Sequence, residues 1–257
     1  EWMSALEEIV ADNRAGKQRA IPSWCTAHPE TLRAILSTYR EDDAPVLIEA
    51  TSNQVNQYGG YTGMTPAGFR AFVEDLAGQE QIDPDRIILG SDHLGPNPWK
   101  DEPAESAMEK AGAMVDAYVR AGFTKIHLDA SMACADDGLL KEETMAARAA
   151  DLCTISEKAA AGRSLSYIIG TEVPIPGGET ETLEGLAVTE PQAARHTLEL
   201  HRQAFAARGL EEAFGRVIGL VVQPGVDFGN DQVFPFDPAK AVALSTSIGG
   251  LPHLAFE

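Results

Sequence analysis

Residues 86–99 read RIILGSDHLGPNPW. The run Ile87-Ile88-Leu89 is short and apolar throughout, the composition of a strand buried on both faces. It stops at Gly90, and the chain then presents Asp92 and His93 side by side before Gly95, Pro96 and Pro98 break regular structure. Buried parallel strands that end in this way carry chemistry at their C-terminal tips, because the following loop holds polar groups over a rigid floor. An adjacent Asp and His offer a metal ligand with a general base, or a histidine oriented by a carboxylate. The plainer alternative is a strand-capping Asp and a half-buried structural His.

The same pattern recurs on both sides of this stretch. Upstream, residues 20–29 (AIPSWCTAHP) form a strand-like piece ending in Cys25 and His28, and Val46-Leu47-Ile48 is a second buried strand with Glu49 at its end. A polar loop with Asn53, Gln54, Asn56 and Gln57 then runs into Gly59-Gly60. Downstream, residues 123–133 (FTKIHLDASMA) end with His127 and Asp129, residues 164–179 (SLSYIIGTEVPIPGGE) place Glu172 at a tip, and residues 216–229 (RVIGLVVQPGVDFG) place Gln223. Residues 251–257 (LPHLAFE) close the chain at Glu257. Between them the apolar spacing predicts helices near 30–41, 66–77, 104–121, 141–161, 190–208 and 238–247, with Thr65 a suitable N-cap for the second.

Seven strand–loop–helix units in strict alternation, with almost no hairpin signals, imply a parallel sheet covered by helices. Polar residues falling at every strand end favour a TIM (β/α)8 barrel over a doubly wound sheet, since only a barrel brings all the tips to one face. Neither a dinucleotide fingerprint nor a phosphate-cradling loop occurs, which leaves a nucleotide-using kinase unsupported. The expectation is therefore a single α/β barrel domain over residues 1–257, with the chain ending at strand 7. Since an open barrel would expose unpaired edges, the C-terminal part of the barrel is expected to be missing from this sequence.

Composition narrows the function. The 257 residues are 44% hydrophobic and 23% charged, with a formal net charge of −19. Such a field repels nucleic acid and anionic membranes, and a phosphorylated substrate would need a locally positive pocket. No apolar run of about 18 residues suggests a membrane span. Cys25, Cys134 and Cys153 form no C-x-x-C pattern and leave an odd count, which suits a reducing cytoplasm. Residues 1–17 read as an amphipathic acidic helix, not a signal peptide.

Glu, Asp and His gathered on one rim are the oxygen and imidazole mix suited to Zn²⁺, Mn²⁺ or a similar divalent ion. Such an ion polarises a sugar carbonyl and stabilises the enediolate left after C–C cleavage or deprotonation, while a second carboxylate moves the proton. The loop from Asn53 to Gln57 has amides to hydrogen-bond a polyol. Each residue also has a plainer reading. Glu49 can pair with a lysine in the barrel floor, Asp129 can cap a turn, and Glu172 can satisfy amides beside Pro174. His28 can cap its helix, His127 is expected to point away from the axis, and His196 and His201 are expected on the surface of an outer helix.

Several blocks resemble the GatZ/KbaZ family: residues 47–66 (LIEATSNQVNQYGGYTGMTP), 86–99, 107–111 (AMEKA), 121–135 (AGFTKIHLDASMACA), 167–179 (YIIGTEVPIPGGE) and 221–229 (VVQPGVDFG). The resemblance covers nearly the whole chain in order. It implies a TIM barrel of the class II aldolase superfamily and the role of non-catalytic subunit of class II D-tagatose-1,6-bisphosphate aldolase. Such a subunit supports a GatY/KbaY-type catalytic partner in galactitol or N-acetylgalactosamine breakdown. Family members are often labelled tagatose 6-phosphate kinase, a label these residues do not support. Related members are assigned a metal-dependent ketose 4-epimerase activity, tagatose to fructose, by retro-aldol and aldol steps. The Asp92-His93 pair resembles the Asp-His of catalytic class II aldolases, where the His binds zinc and the Asp moves a proton. The family continues past the terminal Phe-Glu.

The candidate assignment is thus Asp92, Glu172 and Asp129 as catalytic groups, His93, Glu49 and Glu257 as ligands of a divalent metal (Zn²⁺ first, Mn²⁺ or similar second), and Asn53, Gln54 and Gln223 as substrate contacts. For Glu49, Asp129, Glu172 and Gln223 it rests on strand-tip position. Two functions stand side by side: an accessory aldolase subunit, and a cytoplasmic metal enzyme acting on a ketose or ketose phosphate. A structural subunit has no physical need of so many polar strand tips, which leans towards a bound metal and small molecule.

Overall fold

In the computed structural model, residues 4–170, 187–228, 233–247 and 254–256 are described. Six strands follow one another with helices between them: β1 (Ser23–Cys25), β2 (Val46–Thr51), β3 (Ile87–Asp92), β4 (Lys125–His127), β5 (Ser166–Ile169) and β6 (Val217–Leu220). A two-stranded antiparallel ribbon, β7 (Asp227–Phe228) with β8 (Val233–Phe234), comes after them, and β9 (Ala255–Phe256) completes the main sheet. That sheet has seven strands, every pair parallel, in the order β1-β2-β3-β4-β5-β6-β9. Parallel neighbours in chain order are what helical crossovers produce.

The helices are α1 (Ala5–Arg14), α2 (Pro29–Thr38), α3 (Pro66–Gln79), α4 (Ala104–Arg120), α5 (Glu142–Ala160), α6 (Pro191–Ala206), α7 (Glu211–Phe214) and α8 (Pro238–Ser247). Their boundaries follow local chemistry. Thr65 caps α3 by accepting the Gly68 N–H at 3.2 Å, Pro66 occupies the first turn, and Phe69, Val73 and Leu76 recur on the buried face. In α1 the Ser4 side chain and Glu7 form a reciprocal capping box. None of the described helices is long and apolar enough to cross a membrane.

Alternation along the strands divides the core in two. Val46, Ile48, Ala50, Leu89, Ile126, Leu128, Tyr167 and Ile169 pack under the helices. Leu47, Ile168 and Ile218 turn inward instead and meet Leu6 of α1. Beneath the sheet lies a cavity of about 380 Å³ whose walls come from β1 (Ser23), β2 (Leu47), β4 (Lys125), β5 (Ile168), β6 (Ile218) and β9 (Phe256), with α1 across its mouth. Both edges of the sheet therefore border one interior, and the sheet is a curled half-barrel. Among the described residues β1 and β9 have no partner on their outer sides.

Three features depart from the sequence expectation. Strand β3 continues through Gly90 to Asp92, where the apolar pattern alone suggests a stop at Gly90. A Cβ on Gly90 would lie 2.5 Å from Glu49 Oε1, so glycine is needed inside the strand and marks no end to it. The one-turn helix α7 after α6 and the ribbon β7–β8 after β6 break the simple alternation of the fifth and sixth units. The leading helix spans Ala5–Arg14, shorter than residues 1–17.

Candidate metal centre

Asp92 ends β3 and His127 ends β4, on strands tied through the Gly90–Lys125 register. Immediately after Asp92 the chain turns at His93, whose φ of +51° lies in the left-handed region that costs a side-chain-bearing residue energy. Contacts with β4 hold the turn. The Leu94 N–H donates to His127 O at 2.9 Å, and the Asp129 N–H donates to Leu94 O at 3.0 Å. Gly95 lets the two segments touch, since a Cβ there would fall 1.6 Å from Asp129 O. The turn aims the His93 ring back over β4, at 4.6 Å between its centroid and that of His127.

Four side chains then interlock. His93 Nδ1 lies 2.9 Å from Asp129 Oδ2, and Asp129 Oδ1 accepts the Ser131 N–H at 2.8 Å. On the far side of the ring, His93 Nε2 lies 3.2 Å from Asp92 Oδ1. His127 Nδ1 is 3.2 Å from the same oxygen and 3.3 Å from the His93 backbone N–H. The His127 Nε2 is buried without a hydrogen-bond partner among the described residues. Ligand atoms of Asp92, His93 and His127 all fall within 4.8 Å of one another. Such a convergence of lone pairs on a carboxylate repels itself unless a positive charge, proton or cation, sits among them.

The residues fit a divalent cation. Two imidazoles and a carboxylate are a Zn²⁺-type donor set, and Asp129 behind His93 is the carboxylate that fixes a ligating ring's tautomer and orientation. Burial pushes the Asp92 carboxyl up, but the His127 hydrogen bond and the charges of His93, His127 and Lys125 outweigh it and hold it at about 2. Asp129 is likewise pushed up by burial and pulled below its ordinary value by His93, His127 and Ser131. Cys25 faces the same acids: burial first, then Asp92 and Glu49, push its thiol far up, so it stays protonated.

The sequence-derived candidates divide accordingly. Asp92, His93 and Asp129 are brought together. Glu49 is not: it is 2% exposed and paired at 2.6 Å with Lys125, itself 3% exposed, which is the barrel-floor reading and a correction to its assignment as a ligand. The reason is level, for β2 runs on two residues to Thr51 and leaves Glu49 one layer below the tips. Gln54 Oε1 accepts the Thr51 N–H at 2.9 Å and Gln223 Oε1 the Gly225 N–H at 2.8 Å, so both amides brace their own loops in this structure. The Asn53 backbone carbonyl accepts the Tyr61 N–H at 2.9 Å and its side chain is exposed. Glu172 and Glu257 lie outside the described residues.

Three histidine expectations are also corrected or refined. His127, expected to point off the axis, is 2% exposed and joins the cluster. Strand alternation held that signal, because residues 125, 127 and 129 share one face. His201 is buried at 4%, with its Nδ1 2.8 Å from Thr197 O, and is not a surface residue. His196 is on the surface, and His28 stands at the N-cap of α2 without a side-chain cap bond.

The family described as D-tagatose-1,6-bisphosphate aldolase subunit GatZ/KbaZ-like matches residues 6–257. This chain belongs to that family. A relative from Agrobacterium fabrum strain C58, named D-tagatose 6-phosphate 4-epimerase, is 55% identical over 256 residues, which is 98% of this chain and 60% of the relative. A crystal structure described as a probable tagatose 6 phosphate kinase from Sinorhizobium meliloti 1021 superposes with a TM-score of 0.84 at 50% identity. That match covers 93% of this GatZ/KbaZ-like chain and 58% of the other. The chain thus spans about three fifths of the length of these two relatives.

Proposed function

We propose that this chain carries the cation site of a metal-dependent ketose 4-epimerase that interconverts tagatose 6-phosphate and fructose 6-phosphate. One observation carries the reading: Asp92, His93 and His127 converge with Asp129 holding His93 from behind. Asp92, His93 and His127 would hold the cation. Bound there, it would polarise the ketose carbonyl and stabilise the negative charge left on the three-carbon fragment.

The residues supply the rest. With Oδ1 turned to the two imidazoles, Asp92 has its second oxygen, Oδ2, to take the proton of the C4 hydroxyl. The C3–C4 bond then breaks, its electron pair staying on C3 while C4 becomes an aldehyde. Once the aldehyde has turned its other face, C3 re-adds to C4 and the proton returns to the C4 oxygen. Epimerisation by this route needs no other reactant. Glu172 as a second proton-handling group, Glu257 as a further ligand, and Asn53, Gln54 and Gln223 as polyol contacts remain proposals, as do closure into an eight-stranded barrel, a single domain and a cytoplasmic location.

The family description favours a second reading, an accessory subunit that stabilises a GatY/KbaY-type aldolase. The two separate in one experiment on purified protein loaded with Zn²⁺ or Mn²⁺, given tagatose 6-phosphate and followed by NMR. Conversion to fructose 6-phosphate is expected, and His127→Ala should lose about a hundredfold or more of it while keeping a wild-type fold by circular dichroism. No conversion by the cation-loaded protein, together with stimulation of an aldolase subunit, sinks the epimerase reading.

A further inference from the structure

One layer beneath the cluster sits a buried ion pair that no catalytic step uses. Glu49 and Lys125 come from β2 and β4, with β3 between them. They meet at 2.6 Å across Gly90, where a Cβ would stand 2.5 Å from the Glu49 carboxylate, so only glycine lets that side chain through. The register places Cys25, Glu49, Gly90 and Lys125 in one layer. Two residues further along β3 and β4 stand Asp92 and His127. Removing two charges from water is costly, and apolar residues of similar volume serve stability as well or better. Stability by itself therefore gives this pair little reason to exist in the floor of the site.

We propose that Glu49 and Lys125 are positioning residues that set the charge beneath the cation site: Lys125 backs Asp92, and its pairing with Glu49 keeps that carboxylate out of the ligand set. The proposal rests on the reading that Asp92, His93 and His127 hold a cation. Its consequence is a pair of opposite effects. Without the Glu49 charge, Lys125 is a cation turned on the site and competes for Asp92. Without the Lys125 charge, Glu49 adds a carboxylate to the field that a divalent ion meets.

The test is calorimetric titration of the metal-free protein with Zn²⁺ and with Mn²⁺, with thermal melts run alongside. Glu49→Gln should weaken binding about tenfold and Lys125→Met should tighten it about tenfold, as one unit charge near the site predicts. The double variant should return to within about threefold of wild type, and Lys125→Arg should match wild type. If Lys125→Met does not fold, the comparison of Glu49→Gln with the double variant decides, since adding Met at 125 must then restore affinity. A pair that only braces the fold would shift both single variants the same way, or leave both affinities unchanged while melting temperatures fall, and either result overturns the proposal. Failure of wild type to bind either ion overturns the cation site itself, and the pair's role with it.

Discussion

Asp92 and Asp129 set how the site responds to acid. Both carboxyls lie below their ordinary values in the folded chain, Asp92 at about 2 against the usual 3.8, despite burial pushing the other way. A carboxylate whose folded value is depressed contributes stability that is fully present above the unfolded value and lost as pH falls through the folded one. In the cation-free protein the Asp92 contribution, about 2 kcal/mol, should therefore be present above about pH 4 and be lost between there and about pH 2. Asp92→Asn should flatten that part of the curve. A melting temperature as acid-sensitive in Asp92→Asn as in wild type would contradict the interlocked geometry. His93 belongs to the same scale: its left-handed backbone is tolerated because the bonds of Leu94 and Asp129 over-determine the turn.

Elements place these residues by what glycine permits. The loop after β3 lies against the chain after β4 only because Gly95 carries no side chain, and a methyl there would sit 1.6 Å from a backbone oxygen that cannot swing away. Gly95→Ala should destabilise by about 3 kcal/mol and, by parting His93 from Asp129, should also weaken Zn²⁺ binding. Gly78 near the end of α3 is the opposite case, exposed and with nothing within 4 Å of the place a methyl would take, so Gly78→Ala should stabilise by up to about 1 kcal/mol. Chemical denaturation of the two variants checks both signs. Equal effects would mean that the β3–β4 loop contact does not govern the site.

Across the whole molecule, the Asp92–His127 contact joins strands whose residues stand 35 apart in sequence, so a cation bound there as proposed would link ligand binding to folding. Zn²⁺ at about a hundredfold above its dissociation constant should add about 2.7 kcal/mol to stability, with a chelator reversing the gain. A melting temperature indifferent to both would mean that Asp92, His93 and His127 do not converge on an ion in solution. The curled sheet makes that linkage effective. It surrounds one interior with an apolar floor, closed below by Leu6 of α1, and a polar layer above it. The polar groups on the upper layer are thus held by strands whose opposite faces are packed under helices.

The parallel α/β plan was legible in the residues because it rests on local periodicity: apolar runs of strand length, amphipathic helices between them, and turn-forming residues at the joins. Asp92 and His93 were legible for the same reason, standing at the end of such a run. What local pattern could not supply was level and register. Glu49 and Asp92 both look like strand ends in one dimension, yet the pairing of β2 with β3 sets Glu49 beside Gly90 and a full layer lower, where Lys125 meets it. His127 was within reach through the alternation it shares with Asp129, but its partner Asp92 lies on another strand. Spacing along a chain determines which face a side chain takes. Only hydrogen bonding between strands decides which side chains from distant segments stand at the same height, and that height separates the Asp92–His93–His127 cluster from the ion pair beneath it.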